Sequence, residues 1–482
     1  MSFLDWIVLG SFLALTVLVG LLLRSRNASA DEYFLGSRQV GVPLALLSLI
    51  ATETSAVSFL SVPAESLRGD LRFLQLPLGY IVGRLGVAFW IVPLLFAGEH
   101  VTLYQVIRSR CGVVTQRATS GLFIATRSVA DGLRLFLTAL LVQKMLGVSL
   151  DVAILVTGAV TVLYATIGGI RSVLWTDAIQ LVVYLAGAVL AILIMSADSP
   201  GGLAGILTAA ASAGKLRLLD FRFDLTETYT FWSGVVGGAF LSAATHGADQ
   251  MMVQRYLCTG SARKARWVVS LSGICVFAQF GLFLLVGLGL WHHLGRRVPD
   301  GARGEDLLIA FILEEMPIGI KGVIVASILA AAMSTLSSSI NSIASAVVGD
   351  FLCRRDSHAA PPSSSRLASV AAGAVQVGVA LAAVHLLSSS APLIRPILSV
   401  AALTTGVVLG LLILARTRTV DDKGAVSALV LGSGFVFLLW LSTPLAFPWF
   451  TAIGMLATWG AGLATALLTG TSDNGRATQA DE

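Results

Sequence analysis

The chain has 482 residues, of which 56% are hydrophobic and only 12% charged, with mean hydropathy +0.86. Soluble domains carry about 25% charged residues, so a soluble globular protein is excluded and a polytopic membrane protein is expected. The net charge of +5 comes from basic residues scattered through short loops, not gathered into one stripe, which excludes nucleic acid as a partner.

The first apolar window, 4–23, is long enough to span a bilayer and is followed by arginines rather than a small-residue cleavage site. It reads as a retained helix. Further windows fall at 42–66, 74–97, 118–146, 152–170, 174–195, 233–254, 268–292, 320–350, 367–388, 393–415, 425–443 and 447–469, giving about 13 transmembrane helices and an all-α fold. Every second connector is basic: Arg24, Arg26 and Arg38; Arg108, Arg110 and Arg117; Arg171; Arg263, Lys264 and Arg266; Arg354 and Arg355; Arg416, Arg418 and Lys423. The positive-inside rule makes these cytoplasmic, with the N-terminus outside and the tail TSDNGRATQADE inside. Connectors 198–231 and 293–319 then lie outside, although the latter carries Arg296, Arg297 and Arg303. Cys111, Cys258, Cys275 and Cys353 show no CxxC spacing, so neither a disulfide nor a structural metal site is expected. No soluble domain is appended, so the chemistry belongs to the bilayer, and no obligate protein partner is evident.

The spans are least apolar in four places. In SLIATETSAVSFLSVP (48–63), Thr52, Glu53, Thr54, Ser55 and Ser58 interrupt the second span, and a Ser/Thr run competes for backbone hydrogen bonds. A broken helix is tolerated at that depth where it lines a cavity, and its freed carbonyls can coordinate Na⁺. The alternative is an unbroken helix with Glu53 paired to Arg84 or Arg134. In ATIGGIRSVLWTDAIQ (165–180), Gly168 and Gly169 make a tight turn and Asp177 lies inside the next span. That carboxylate either pairs with Arg171 across the turn or holds a cation.

In THGADQMMVQRY (245–256), His246, Asp249 and Gln250 end a span beside Gly247, which again suits an interrupted helix. His246 and Asp249 stand three apart, as metal ligands or as a hydrogen-bonded pair. In AAAMSTLSSSINS (330–342), Ala331, Ser334, Thr335, Ser338 and Ser342 follow i, i+3, i+4, i+7, i+11 spacing along one helix face. Small residues and back-bonded hydroxyls can serve close helix packing. A stripe so rich in hydroxyls also suits a desolvated alkali cation, which wants several neutral oxygens that release it again.

GGIRSVLWTDAIQ, DQMMVQRYL and AAAMSTLSSSINS, in that order, resemble the motifs of the sodium/solute symporter family from about Tyr33 to Arg416. The resemblance implies a LeuT-like fold. Residues 1–41 would form a preceding helix and loop, 42–195 and 233–415 two inverted five-helix repeats, 196–232 an extracellular loop, and 416–482 two trailing helices and a tail. It implies Na⁺-coupled symport of a small solute across the plasma (inner) membrane, and no enzyme activity.

The family's sodium site carries over to the carbonyls of Ala51, Thr54 and Ala331 and the hydroxyls of Ser334 and Thr335. A second sodium, held in some members, carries over to Asp177, Ser334, Ser337 and Ser338. Substrate candidates are Thr52, Glu53, Ser55, Ser58, Gln75, His246, Asp249 and Gln279. The glutamate of sugar-carrying members matches Leu76. The carboxylate-binding arginine of sialic-acid members matches Ala130, with Asp131 and Arg134 a turn away. SAVSFLSVPAESLRGDLRFL looks closest to the monocarboxylate, iodide and vitamin branch, which leans to a small organic anion, although a free Glu53 would repel one.

A channel would repeat polar rings along several spans, whereas here the polar residues converge at one depth. An intramembrane serine hydrolase needs a base within reach of its nucleophile, and His246 has no reason to face Ser334. No GxxxxGK[ST] loop is present, so ATP is not the energy source. A proton-coupled symporter of an amino acid-like solute, with Glu53 or Asp177 carrying the proton, and a non-transporting sensor with a transporter fold remain as alternatives.

Overall fold

The structure is a computed structural model, and it describes residues 1–23, 29–98, 100–299, 301–352, 362–386, 394–417 and 420–468. Arg24, Arg26, Arg354, Arg355, Arg418 and the C-terminal tail, used above to orient the chain, lie outside the described residues, as does Cys353. Those described form helices and no strand. A leading helix α1 (Phe3–Leu22) and a short α2 (Ala30–Leu35) precede α3 (Val42–Glu53) and α4 (Ala56–Arg68). α5 (Gln75–Gly86) runs through a widened turn, Val87–Ile91, into α6 (Val92–Leu95), and α7 (Leu103–Cys111) connects to α8 (Val113–Leu146).

The chain continues as α9 (Leu150–Ala197), α10 (Gly202–Ser212), α11 (Gly238–Ala248), α12 (Gln250–Leu257), α13 (Ala262–His293) and α14 (Gly304–Glu314). It closes with α15 (Ile320–Ala346), α16 (Pro362–Leu386), α17 (Ile394–Thr417), α18 (Asp422–Ser442) and α19 (Phe447–Leu468).

Among the described residues, eight helices are long and apolar enough to span a bilayer, or up to nine when a bent pair is joined, against the thirteen expected. The difference has a physical origin. The 48-residue α9 turns within itself at Gly169, whose φ of 57° and ψ of −155° leave the helical region. It therefore covers two expected spans in one element. A Cβ at Gly169 would sit 2.8 Å from the Tyr33 carbonyl, so both the backbone and the packing require glycine. α3, α4, α11 and α12 are only 12, 13, 11 and 8 residues long. α8 carries Arg117, Arg127, Asp131 and Arg134 along its length.

α15 is the hub. Nearly all its residues are buried, and it packs on α9, α8, α1 and α16. Where helices meet at glycine, backbones touch. A Cβ at Gly83 of α5 would lie 2.1 Å from the Ala239 carbonyl oxygen of α11, and one at Gly287 of α13 would lie 1.9 Å from the Pro63 carbonyl oxygen of α4. Backbone cannot yield as a flexible side chain does, so Gly287→Ala is expected to destabilise the protein by about 1–3 kcal/mol. Thermal unfolding of the detergent-purified protein measures this.

Candidate functional site

The second expected span is broken, as its sequence predicts. α3 ends at Thr54 (φ −91°, ψ 117°), and α4 restarts with Ser55 as N-cap, whose hydroxyl accepts from Ser58 N at 3.3 Å. The break lies in ordinary extended backbone, so no glycine is needed. Its side chains cap the new helix, while the carbonyls ending the old one lose their i+4 donors. The second interruption is at Asp249 (φ −108°, ψ 118°), whose carboxylate caps α12 by accepting from Met251 N at 2.8 Å. Gly247, two residues earlier, remains helical.

The hydroxyl stripe of α15 faces the first break. Thr335 Oγ1 lies 3.4 Å from Thr52 O, 3.2 Å from Thr54 O and 3.3 Å from Ala331 O, all buried. One hydroxyl proton serves one of these carbonyls at a time, so lone pairs outnumber donors where four oxygens converge. Such a donor set suits a hard monovalent cation. Of the five expected sodium ligands, Thr54, Ala331 and Thr335 come together here, joined by the carbonyl of Thr52. The Ala51 carbonyl accepts the N–H of Thr54 at 3.3 Å, and the Ser334 hydroxyl turns to Asp177 at 2.7 Å.

Asp177 forms the second cluster. It accepts from Ser48 at 2.5 Å, from Ser334 at 2.7 Å, and from Thr52 and Ser338 at 3.3 Å each. Arg255 of α12 approaches Asp177 at 3.7 Å, and both side chains are fully buried. Nε of Arg255 donates to Thr52 Oγ1 at 3.0 Å and its Nη1 to Met251 O at 2.6 Å. Asp177 thus pairs with Arg255, not with Arg171. Ser337 is buried beside this cluster but donates to Ser334 O at 3.1 Å. Ser342, at the end of the stripe, bonds back to Ser339 O.

The substrate candidates separate. Glu53 receives two hydrogen bonds from Arg84 Nη2, at 2.6 and 2.5 Å, so the break coexists with the ion pair first considered as its alternative. His246 Nε2 lies 3.8 Å from Glu53, and its Nδ1 is 3.1 Å from Ser242 O. Asp249 pairs instead with Arg127 at 3.1 Å, so His246 and Asp249 are not each other's partner, and among the described residues no group of three or more possible metal ligands includes them. Gln279 donates to the Thr54 hydroxyl and accepts from Tyr184 at 3.4 Å, next to the break. Ser55 and Ser58 pair at 3.2 Å.

Gln75 points away from this region. It holds the 213–230 loop by donating to Tyr229 O at 2.8 Å and accepting Asp220 N at 3.0 Å. In that loop Asp220 is ringed by Arg222, Arg72 and Arg217, and the hydrogen bonds from Arg222 foremost hold its carboxyl well below the usual carboxylate range.

Ser48 and Arg255 are the functional candidates that sequence reasoning passed over. Ser48 stands four residues before Thr52, on the same face of α3, which is a usable signal. Arg255 lies inside the DQMMVQRYL motif, but nothing local ties it to Asp177.

Three comparisons agree on what this arrangement belongs to. The chain is 29% identical over 461 residues to the human sodium/iodide cotransporter, covering 91% of this chain and 69% of the relative. It is 29% identical over 482 residues to the sodium/sialic acid symporter of Proteus mirabilis, covering 97% and 95%. A solved substrate-bound, outward-open Na⁺-coupled sialic acid symporter superposes with a TM-score of 0.87 at 28% identity, covering 97% of this chain and 98% of that one. The family model described as the sodium:solute symporter family matches residues 33–432, so this chain is an integral membrane protein of the sodium:solute symporter family, with the LeuT-like fold of its solved relative.

Proposed function

We propose that this protein is a Na⁺-driven symporter of a small organic anion working by alternating access. Residues 42–195 and 233–415 would be its two inverted repeats, its N-terminus would lie outside and its C-terminus in the cytoplasm of a plasma (inner) membrane. The observation that carries the reading is the convergence of the Thr52, Thr54 and Ala331 carbonyls on the Thr335 hydroxyl across a helix break. Na⁺ is held there by Thr54, Ala331 and Thr335, with the Ala51 carbonyl and Ser334 hydroxyl completing the set. Asp177, with Ser334, Ser337 and Ser338, is the candidate for a second Na⁺.

An ion at the first position pins α3 and α4 to α15 and so stabilises the conformation in which the break is closed against the stripe. Any solute that binds this same conformation more tightly gains affinity from the ion by the same factor that the ion gains from it. The membrane potential adds about 2.3 kcal/mol per charge per 100 mV. Glu53 is no obstacle to an anion, because Arg84 neutralises it in place. Of the candidate solute contacts, Ser55, Ser58 and Gln279 lie at the break, and Thr52, Glu53, His246 and Asp249 are engaged with protein groups that hold the two broken helices.

The test is uptake by reconstituted vesicles across a panel of radiolabelled organic anions. An inward Na⁺ gradient is expected to stimulate uptake at least tenfold over K⁺. A proton gradient that drives uptake without Na⁺ would replace sodium by proton coupling.

A further inference from the structure

The second cluster holds one carboxylate and two claimants to its counter-charge. Asp177 Oδ2 accepts from Ser48 at 2.5 Å and from Thr52 and Ser338 at 3.3 Å each, and Oδ1 accepts from Ser334 at 2.7 Å. Among the described residues its ion-pair partner is Arg255, at 3.7 Å. The other core pairs are in hydrogen-bond contact: Arg84 meets Glu53 at 2.5 Å, Arg127 meets Asp131 at 2.8 Å and Asp249 at 3.1 Å, and Arg134 meets Asp131 at 2.5 Å. Arg255 stands off, and its Nη2 is buried with no hydrogen-bond partner among the described residues.

The guanidinium is held by its other two nitrogens. Nη1 donates to Met251 O of its own helix at 2.6 Å, and Nε to Thr52 Oγ1 of α3 at 3.0 Å. Arg255 therefore supplies charge while hydroxyls take up the carboxylate's lone pairs. Thr52 Oγ1 also lies 3.0 Å from Ser338 Oγ, so departure of the guanidinium would leave a group of oxygens around Asp177 with no positive charge among them. A hydroxyl that donates to a carboxylate still has lone pairs for a metal ion. One fully buried carboxylate is balanced by one positive charge, and a second cation beside it would itself be buried without a partner. Na⁺ and Arg255 exclude each other here.

We propose that Arg255 is a tethered counter-cation of Asp177 that a second Na⁺ must displace. This rests on the symport reading above and states how its second cation site is regulated. Met251 lies on α12, so that bond travels with the arginine, whereas the bond to Thr52 joins the helix after the second break to the helix before the first. The exchange breaks that tie. By linkage, the tether lowers the second ion's affinity by the same factor that the ion loosens the tether.

The test uses the full-length protein, purified in NaCl and exchanged into Na⁺, K⁺ or choline, with equilibrium binding of radiolabelled Na⁺ and thermal unfolding as readouts. The parent is expected to bind one Na⁺ tightly and a second at least tenfold more weakly than Arg255→Gln does. In K⁺ or choline, Arg255→Gln is expected to unfold below the parent, because Asp177 is then buried without a counter-charge, and Na⁺ is expected to restore most of that loss. Arg255→Lys keeps the charge and loses the guanidinium's geometry, and is expected to hold the second ion within threefold of the parent. In the double variant Asp177→Asn/Arg255→Gln, the second ion and the extra stabilisation by Na⁺ are both expected to disappear.

Equal second-ion affinity in the parent and Arg255→Gln would overturn the exchange and leave sodium coupling standing. So would a second ion that survives in the double variant, or tight second-ion binding in Arg255→Lys, which would assign the effect to packing and not to charge. An Arg255→Gln protein that fails to fold even in high NaCl would also overturn it, since Na⁺ would then be unable to replace the arginine. A parent that binds no Na⁺ at all would overturn the sodium reading on which the exchange rests.

Discussion

Asp177→Ala is expected to lower stability by about 3–5 kcal/mol, and Arg255→Leu by a similar amount, while the double variant loses far less than the sum. The two side chains face each other at 3.7 Å with no solvent exposure. Removing either leaves the other charge buried without its counter-ion, which is strongly destabilising, whereas replacing both by apolar groups removes the desolvation problem together with the attraction. Ser48, Thr52, Ser334 and Ser338 would still surround the Asp177 position, but these neutral hydroxyls, of which Thr52 already accepts from Arg255, do not replace a counter-charge. Thermal unfolding of the four proteins gives the coupling directly. Strict additivity would mean that the two charges do not interact.

The second large effect concerns sodium. Thr335→Ala is expected to raise the Na⁺ concentration for half-maximal uptake at least tenfold, and Thr335→Ser to restore most of it, since only the hydroxyl meets the break carbonyls. Hydrogen bonds and contacts to charged groups are worth about 1.5–3 kcal/mol, which corresponds to that loss. Ser334→Ala is expected to shift the same concentration less, because its hydroxyl is already engaged by Asp177. Sodium activation unchanged in a folded Thr335→Ala protein would remove this cluster as the ion's seat.

The breaks and the stripe were legible because their causes are local. A Ser/Thr run supplies its own caps, so the interruption at Thr54 follows from the residues that flank it. The face shared by Ala331, Ser334, Thr335 and Ser338 follows from the helical period, and the hydroxyls of Ser334, Thr335 and Ser338 turn to α3 or Asp177. Pairings across the bundle were not legible. Arg171, six residues before Asp177 and just after the glycine turn, was the local choice, whereas the partner Arg255 comes from another helix. Likewise the i, i+3 spacing of His246 and Asp249 promises a shared face only on a continuous helix, and the chain leaves the helix at Asp249 itself. The spans that length and hydropathy miss fail for the same reason that they matter: broken helices are short, and α8 carries the charges that approach them.

The pairing of buried charge has an electrical corollary. Glu53 with Arg84, Asp177 with Arg255, and Asp131 and Asp249 with Arg127 and Arg134 cancel, four against four. Turning such a core around, empty of ions, moves no net charge from these groups through the bilayer field. Voltage would then bear on the journey made with cargo aboard when the sodium ions outnumber the negative charges of the solute.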